Sequence, residues 1–213
     1  MVKTVLIIGS GPDVARSVDW DRGGVDMILA INNAWRVRPD WDRLIHPEDF
    51  PADRRPTQLE ASQGVVTYRD FVPALNAHGG VVFCGATMAF VAGYWALEVL
   101  KPQRIAYFGC DMVYSERGPT HFYGRGAADP LRDDPTLQSL EAKSARLGLM
   151  AAAKGCAVVN LSQARESRLT FPRSNLRAFA QGAFREGQPT PFAARASCAP
   201  IVSQERGLGY ETP

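Results

Sequence analysis

The sequence predicts an α/β chain: a Rossmann-like, mainly parallel sheet with helices on both faces, followed by an irregular C-terminal arm. Three observations predict it. Short all-apolar runs ending in turn residues recur along most of the chain: VLII before Gly9, MILAI before Asn32 and IAYF before Gly109. Strands covered on both faces of a parallel sheet read this way. Helix-period segments alternate with these runs, as in βαβ units. From Gln163 the composition changes: Pro172, Pro189, Pro191 and Pro200 break the chain, and arginine alone carries its positive charge. The expected division is an α/β domain over residues 1–162 and a Pro/Arg-rich arm over 163–213, frayed after about residue 197.

The elements follow in order. Residues 5–8 form a first strand, closed by Gly9-Ser10-Gly11-Pro12. That turn opens a helix: Pro12 suits the first helical position, and Asp13 suits the positive end of the dipole. Residues 26–31 are a second strand ending in Asn32-Asn33, and residues 43–46 (RLIH) a third, closed by Pro47. Residues 51–62 are a polar loop with room for one helical turn. Residues 64–68 and 81–83 are further strand candidates, separated by the Gly79-Gly80 break, and His78 reads as a surface loop residue. Residues 86–100 read as one long helix, since Ala89, Phe90, Gly93, Tyr94, Leu97 and Leu100 recur at helical spacing. Gly93 and the alanines let it lie close on the sheet. The central strand, residues 104–108, releases Asp111 beyond Gly109. Asp134-Pro135 then starts a helix that runs to about Lys154, where Gly155 stops it. Residues 157–161 (AVVNL) are the last strand.

Composition narrows the function. The chain has 213 residues, 46% hydrophobic and 22% charged, with a net charge of +2. A charge this small gives no footprint for nucleic acid or an anionic membrane surface. No apolar run reaches the about 18 residues of a membrane span, and the opening VLIIG is read as a strand and not a leader. Cys84, Cys110, Cys156 and Cys198 show no CxxC spacing. Structural zinc is not expected, and buried reduced thiols point to a cytoplasmic protein.

In an open parallel sheet, ligands bind outside the carboxyl ends of the strands. The polar residues at those ends are therefore the candidates. Gly9, Ser10 and Gly11 give a GxGP turn in which Val14 holds the third glycine position of the dinucleotide fingerprint. It reads equally as a phosphate-approaching turn or a plain strand-to-helix turn. Asn32, with Asn33, can hydrogen-bond a base or ribose, or serve as turn residues. His46 falls level with Ser10 and Asn32 if the sheet is parallel. Thr87 can meet a ligand at a helix start, or cap that helix. Asp111, Tyr114, Thr120, His121, Tyr123 and Arg125 gather in one short loop after the central strand. The arm's Arg165, Arg168, Arg173 and Arg177 either hold an anion or lie solvated.

Several stretches, VLIIGSGPDV, AINNAW, GATMAF…IAYFGCDMVY, THFYG and NLS, resemble in the same order the bacterial lipooligosaccharide sialyltransferases. They also resemble the related family of uncharacterised and 6-hydroxymethylpterin-diphosphokinase-like proteins. The similarity spans about residues 1–173. It implies a nucleotide-binding domain whose strand ends grip the CMP part of CMP-sialic acid. Asn32 then matches a nucleotide-binding asparagine, Ser10 and His46 stand where two further asparagines would be, and Asp111 matches the aspartate after the central strand. Two tyrosines that hold the departing phosphate have Tyr114 and Tyr123 as nearest counterparts, out of register. The general-base histidine position is held by Arg125, which takes up no proton at ordinary pH. Either His121 takes the role or the chain does not transfer sialic acid.

Three functions stay open. The first is a metal-independent glycosyltransferase with a nucleotide-sugar donor and a hydroxyl acceptor: His121 as base, Asp111 orienting it or a ligand hydroxyl, Arg125 and Tyr123 neutralising the departing phosphate. The second is phosphoryl or diphosphoryl transfer needing Mg²⁺, with Asp111 as ligand and Asp129 or Asp133 nearby; no GxxxxGK[ST] loop is present. The third is a non-catalytic nucleotide- or sugar-binding protein. A homo-oligomer joined through the arm is compatible with each.

Overall fold

The structure, a computed structural model, describes residues 2–114, 118–125, 139–183 and 191–209. Its strands are β1 (Thr4–Ile8), β2 (Met27–Ile31), β3 (Arg43–Ile45), β4 (Gly64–Val66), β5 (Arg104–Phe108) and β6 (Ala157–Asn160). They form a six-stranded sheet in the order β4-β3-β2-β1-β5-β6, and every pair is parallel. The α/β, Rossmann-like class is thereby established. The order reverses at β1, so the seam between β1 and β5 is the topological switch point. All five residues of β1 are buried, as its unbroken apolar run requires.

The two faces are covered unequally. On one face Val5, Ile7, Leu29 and Tyr107 pack with α1 (Tyr68–Asn76), α3 (Met88–Trp95) and α4 (Leu140–Ala153). On the other, Leu6, Ile8, Ile28 and Phe108 meet two 3₁₀ turns, Pro12–Ser17 and Asn32–Arg36, together with Trp41 and Phe179 of α5 (Leu176–Gln181). The expected full helix after β1 is thus a 3₁₀ turn. The arm supplies the missing cover.

The long helix predicted over residues 86–100 divides into α3 and a π-helical turn, Ala96–Leu100, ending at Lys101 with φ 50°. Its close approach to the sheet is as expected. The Tyr107 hydroxyl donates to Ala89 O at 3.1 Å, and a Cβ on Gly93 would lie 2.0 Å from that hydroxyl. Residues 81–83 are not a strand. They open α2 (Val81–Cys84), and Val81 and Val82 are half exposed; three apolar residues carry no period that separates strand from helix. The expected start of α4 at Asp134-Pro135 lies outside the described residues. The described helix is capped by Ser139, whose hydroxyl accepts from Ala142 N at 3.1 Å.

The arm is irregular over residues 163–175, as expected, and helical in most of its remaining described parts. After α5 comes α6 (Pro191–Gly207), which continues through the region expected to fray and carries Pro200 inside it. It is held against α4 by a buried ion pair: the Arg146 guanidinium reaches both carboxylate oxygens of Glu205, at 2.8 and 2.5 Å. The same guanidinium donates to Tyr94 Oη at 2.7 Å and to His78 O at 2.7 Å. His78 is a buried member of this network and not a surface residue. Its Nε2 meets Glu98 Oε2 at 3.1 Å, and Lys154 holds the same oxygen.

Two outcomes follow from this network. Glu205→Ala leaves a guanidinium buried without its counter-charge, so it should cost about 3–5 kcal/mol, read by chemical denaturation, while Arg146→Met with Glu205→Leu recovers most of the loss. Burial pushes the His78 imidazole down to about 4; the Lys154 ammonium adds to this and the Glu98 carboxylate opposes it. The unfolded chain, with histidine near 6.5, therefore binds more protons than the folded one between those values. The contribution is complete above about pH 6.5 and is lost as pH falls toward 4. His78→Gln should flatten the dependence of melting temperature on pH across that window.

Candidate functional site

The site is built on the parallel register. Ile8 pairs with Ala30, and Ile31 with Ile45. Extending this register, two residues past β1 and one past β2 and β3, sets Ser10, Asn32 and His46 level, as expected for a parallel sheet. With strands about 4.8 Å apart, the row spans about 10 Å, the length of a nucleoside. Ile8 also pairs with Phe108, which sets Cys110 beside Ser10 and Asp111 beside Gly11.

Each member of the row is held differently. Asn32 begins its 3₁₀ turn at φ 50°, a left-handed conformation that asparagine tolerates. Its Oδ1 is buried and accepts no hydrogen bond; nor does Oδ1 of Asn33, which is only 5% exposed. Among the described residues one further buried polar atom shares this state, Arg104 Nε, on a guanidinium that already donates to Phe179 O and Ala180 O. A buried oxygen left unpaired costs about 1–3 kcal/mol. Two adjacent ones at a strand end mark a place where a donor belongs. His46 is buried against Phe50, with Nδ1 2.7 Å from Pro47 O. That bond makes Nδ1 the protonated nitrogen of the neutral ring and Nε2 an acceptor.

The glycine turn serves packing. Gly9 N donates to Phe108 O at 2.9 Å and Gly11 N to Gly109 O at 2.8 Å. A Cβ on Gly9 would stand 2.4 Å from Gly109 O. These two amides are spent on the neighbouring loop, so the close approach that demands glycine is loop to loop. This corrects the expectation that Gly9 and Gly11 approach a ligand, and leaves Ser10 as the turn's member of the row.

Ser10 also carries the loop that holds His121. Its carbonyl accepts from Phe122 N at 3.0 Å, and Phe122 packs into the lower core. His121 and Gly124 exchange backbone hydrogen bonds of 2.9 and 3.0 Å around this anchor. Within the turn the His121 ring stacks on Tyr123 at 4.9 Å and stands 6.0 Å from Tyr114. Its Nδ1 is 2.9 Å from Thr120 Oγ1. Arg125 Nε donates to Gly118 O at 3.4 Å.

Asp111 is turned to other work. Its carboxylate accepts from Ser162 Oγ at 2.6 Å and Asn160 Nδ2 at 3.3 Å, and Arg173 stands 4.0 Å away. Its carbonyl accepts from Arg168 N at 2.9 Å. The expectation that Asp111 orients His121 is corrected: it ties the end of β6 and the start of the arm to β5. Asn160 and Ser162 were missed as partners, although the polar N and S that flank Leu161 after an apolar run were visible. Thr87 takes its capping role, accepting from Phe90 N at 3.4 Å, and its hydroxyl meets Met112 Sδ at 3.6 Å. In the arm, Arg168 pairs with Glu141, and Arg173 donates to the carbonyls of Ser162 and Ala164.

Among the described residues no three His, Cys, Asp or Glu side chains gather as a metal site; Asp129 and Asp133 lie outside those residues. All four cysteines are buried and unpaired, and burial pushes the Cys84 and Cys156 thiols up to about 12, where they are inert. No described helix is long and apolar enough to cross a membrane. No protein-family model matches the chain, and no curated protein matches it.

Replacing Asp111 tests its structural role. Asp111→Ala leaves the Ser162 hydroxyl and the Asn160 amide without their acceptor, and should cost about 2 kcal/mol. The expected readout is a melting temperature lower by roughly 4–8 °C, with the tie between β5 and the arm loosened in hydrogen exchange at Arg168 N.

Proposed function

We propose that this chain binds a nucleotide across the carboxyl ends of β1, β2 and β3 and transfers a sugar from a CMP-sugar type donor to a hydroxyl acceptor, without a resident metal. The observation that carries the reading is the pair of buried, unpartnered amide oxygens of Asn32 and Asn33, in a nucleoside-length row with Ser10 and His46. A cytosine amino group or ribose hydroxyls supply the hydrogen bonds these side chains lack. The resemblance of AINNAW and THFYG to the lipooligosaccharide sialyltransferases supports the same donor class.

The chemistry assigned to the loop is a displacement. The acceptor hydroxyl oxygen bonds to the anomeric carbon, the bond from that carbon to the phosphate oxygen breaks, and CMP leaves with the electron pair. His121 takes the hydroxyl proton. In the tautomer that donates Nδ1–H to Thr120 Oγ1, Nε2 carries the lone pair this needs. Tyr123, stacked on that ring, and Arg125 of the same hairpin are assigned the departing phosphate. Nucleotide-sugar donors and buried reduced thiols suit a cytoplasmic location.

A thermal-shift series with CMP, CDP, UDP, GDP, ATP and NAD, each with and without Mg²⁺, tests the assignment. CMP at about 100 times its dissociation constant should add about 2.7 kcal/mol of stability. The shift should be lost in Asn33→Ala and kept in His121→Ala, which instead stops CMP release from the donor. A shift with ATP plus Mg²⁺ alone transfers the assignment to phosphoryl transfer. CMP binding without turnover makes the chain a nucleotide-binding protein.

A further inference from the structure

The two edges of the sheet are finished differently. At β6 the arm adds to the edge: Asn160 N donates to Pro172 O at 2.9 Å, and Ser174 N to Asn160 O at 3.0 Å. At β4 no strand or bridge among the described residues pairs with the outer side. Gly64 N donates to Asp42 O at 2.9 Å, toward β3. Successive residues of a parallel strand turn their backbone groups to opposite sides, so Val65 turns both its N–H and its C=O outward. Open edges are ordinarily guarded by a charge, a proline or a bulge. The three residues of β4 carry none of these.

Exposed apolar side chains gather in the same stretch of chain. Of the twelve large ones among the described residues, six lie within residues 59–82. Three adjoin the edge: Val65 on β4, 38% exposed, and Tyr68 and Val72, 38% and 41% exposed, one turn apart on α1. Helix α1 follows β4 directly and packs through Phe71, Ala74 and Leu75 on the core that Val66 joins. Val65 alternates with Val66 and so points to the opposite face.

We infer that β4 is the joint of a homodimer, pairing antiparallel with β4 of a second copy about a two-fold axis at Val65. The inference is independent of the nucleotide reading. In an antiparallel hydrogen-bonded pair, two opposed residues exchange both bonds, each N–H to the other's carbonyl. A residue that faces its own copy supplies both halves, which is the self-complementarity a two-fold interface requires. The axis stands normal to the sheet and therefore preserves its faces. Helix α1 comes beside α1 of the copy on one side of the seam, and Val65 beside Val65 on the other. Tyr68 and Val72 are covered together with the edge. An extended peptide of another protein would take the two hydrogen bonds and leave that flank of α1 in water, so the second copy fits the whole surface and the peptide only part of it.

Sedimentation equilibrium of the full chain tests this. The species should have twice the 23.3 kDa mass of one chain. Val65→Lys sets two ammonium groups against each other across the axis and should weaken association roughly hundredfold or more, with the circular dichroism spectrum unchanged. Tyr68→Lys, away from the strand hydrogen bonds, should weaken it as well. Val65→Cys reads the axis directly. The four native cysteines are buried, so a short bismaleimide should join the introduced thiol to its counterpart in the second copy. A chain that is monomeric at the highest concentration reached overturns the inference. So does a dimer that keeps its affinity in both lysine variants, or one in which Val65→Cys is not cross-linked.

Discussion

Two amide hydrogen bonds, from Gly9 to Phe108 O and from Gly11 to Gly109 O, close the seam between β1 and β5 beyond the last paired residues. They rest on Gly9 and Gly11 having no side chain: a Cβ on either would lie within 3 Å of Gly109 O, and one on Gly9 also within 3 Å of Cys110 Sγ. Gly109 itself sits at φ 69°, and a Cβ there would lie 2.8 Å from Val14 Cβ. With the seam closed, Ser10 is fixed in place, and its carbonyl becomes the peg on which Phe122 hangs. Phe122 in turn sets the hairpin that presents His121. A chain of backbone contacts thus connects the sheet's switch point to the imidazole, and none of it depends on a flexible side chain.

The arm is integral to this arrangement. It enters through Ser162 and Asn160, which hold Asp111, covers one face of the sheet with Phe179 of α5, and returns as α6 against α4. Buried ion pairs are weak sources of net stability, because desolvation offsets their attraction. What the Arg146–Glu205 pair supplies is position: a guanidinium with three kinds of partner admits few alternative packings of α6.

The strands were readable because burial on both faces leaves an unbroken apolar run, as in VLII and MILAI. The level of Ser10, Asn32 and His46 followed from parallel register alone. Other features depended on contacts distant in sequence. His78 looks like a loop residue until Arg146, 68 positions on, binds its carbonyl. Pro191 and Pro200 read as breakers, yet one begins α6 and the other is carried within it, where packing on α4 offsets the lost hydrogen bond. Helix α1, which carries Pro73 inside it, was not among the elements read from the sequence. Its start was nevertheless written in the sequence, as Asp70 reaching back to Thr67 N at 2.8 Å. The glycine turn showed that close approach was needed but not to what. The Asp111 carboxylate looked catalytic because Asn160 and Ser162, its partners, lie 49 and 51 residues away.

The separation of Arg146 from Glu205 has a temporal meaning. Glu205 follows Arg146 by fifty-nine positions, which a ribosome adds in roughly 3–12 s at about 5–20 residues per second. Once β6 (Ala157–Asn160) has been added, the nascent sheet has all its strands and still carries on α4 a cation whose counter-ion has not been made. The face that α6 will cover must stay wet, so consolidation of that side of the molecule is a late event in biogenesis, set by translation and not by the folding of the sheet.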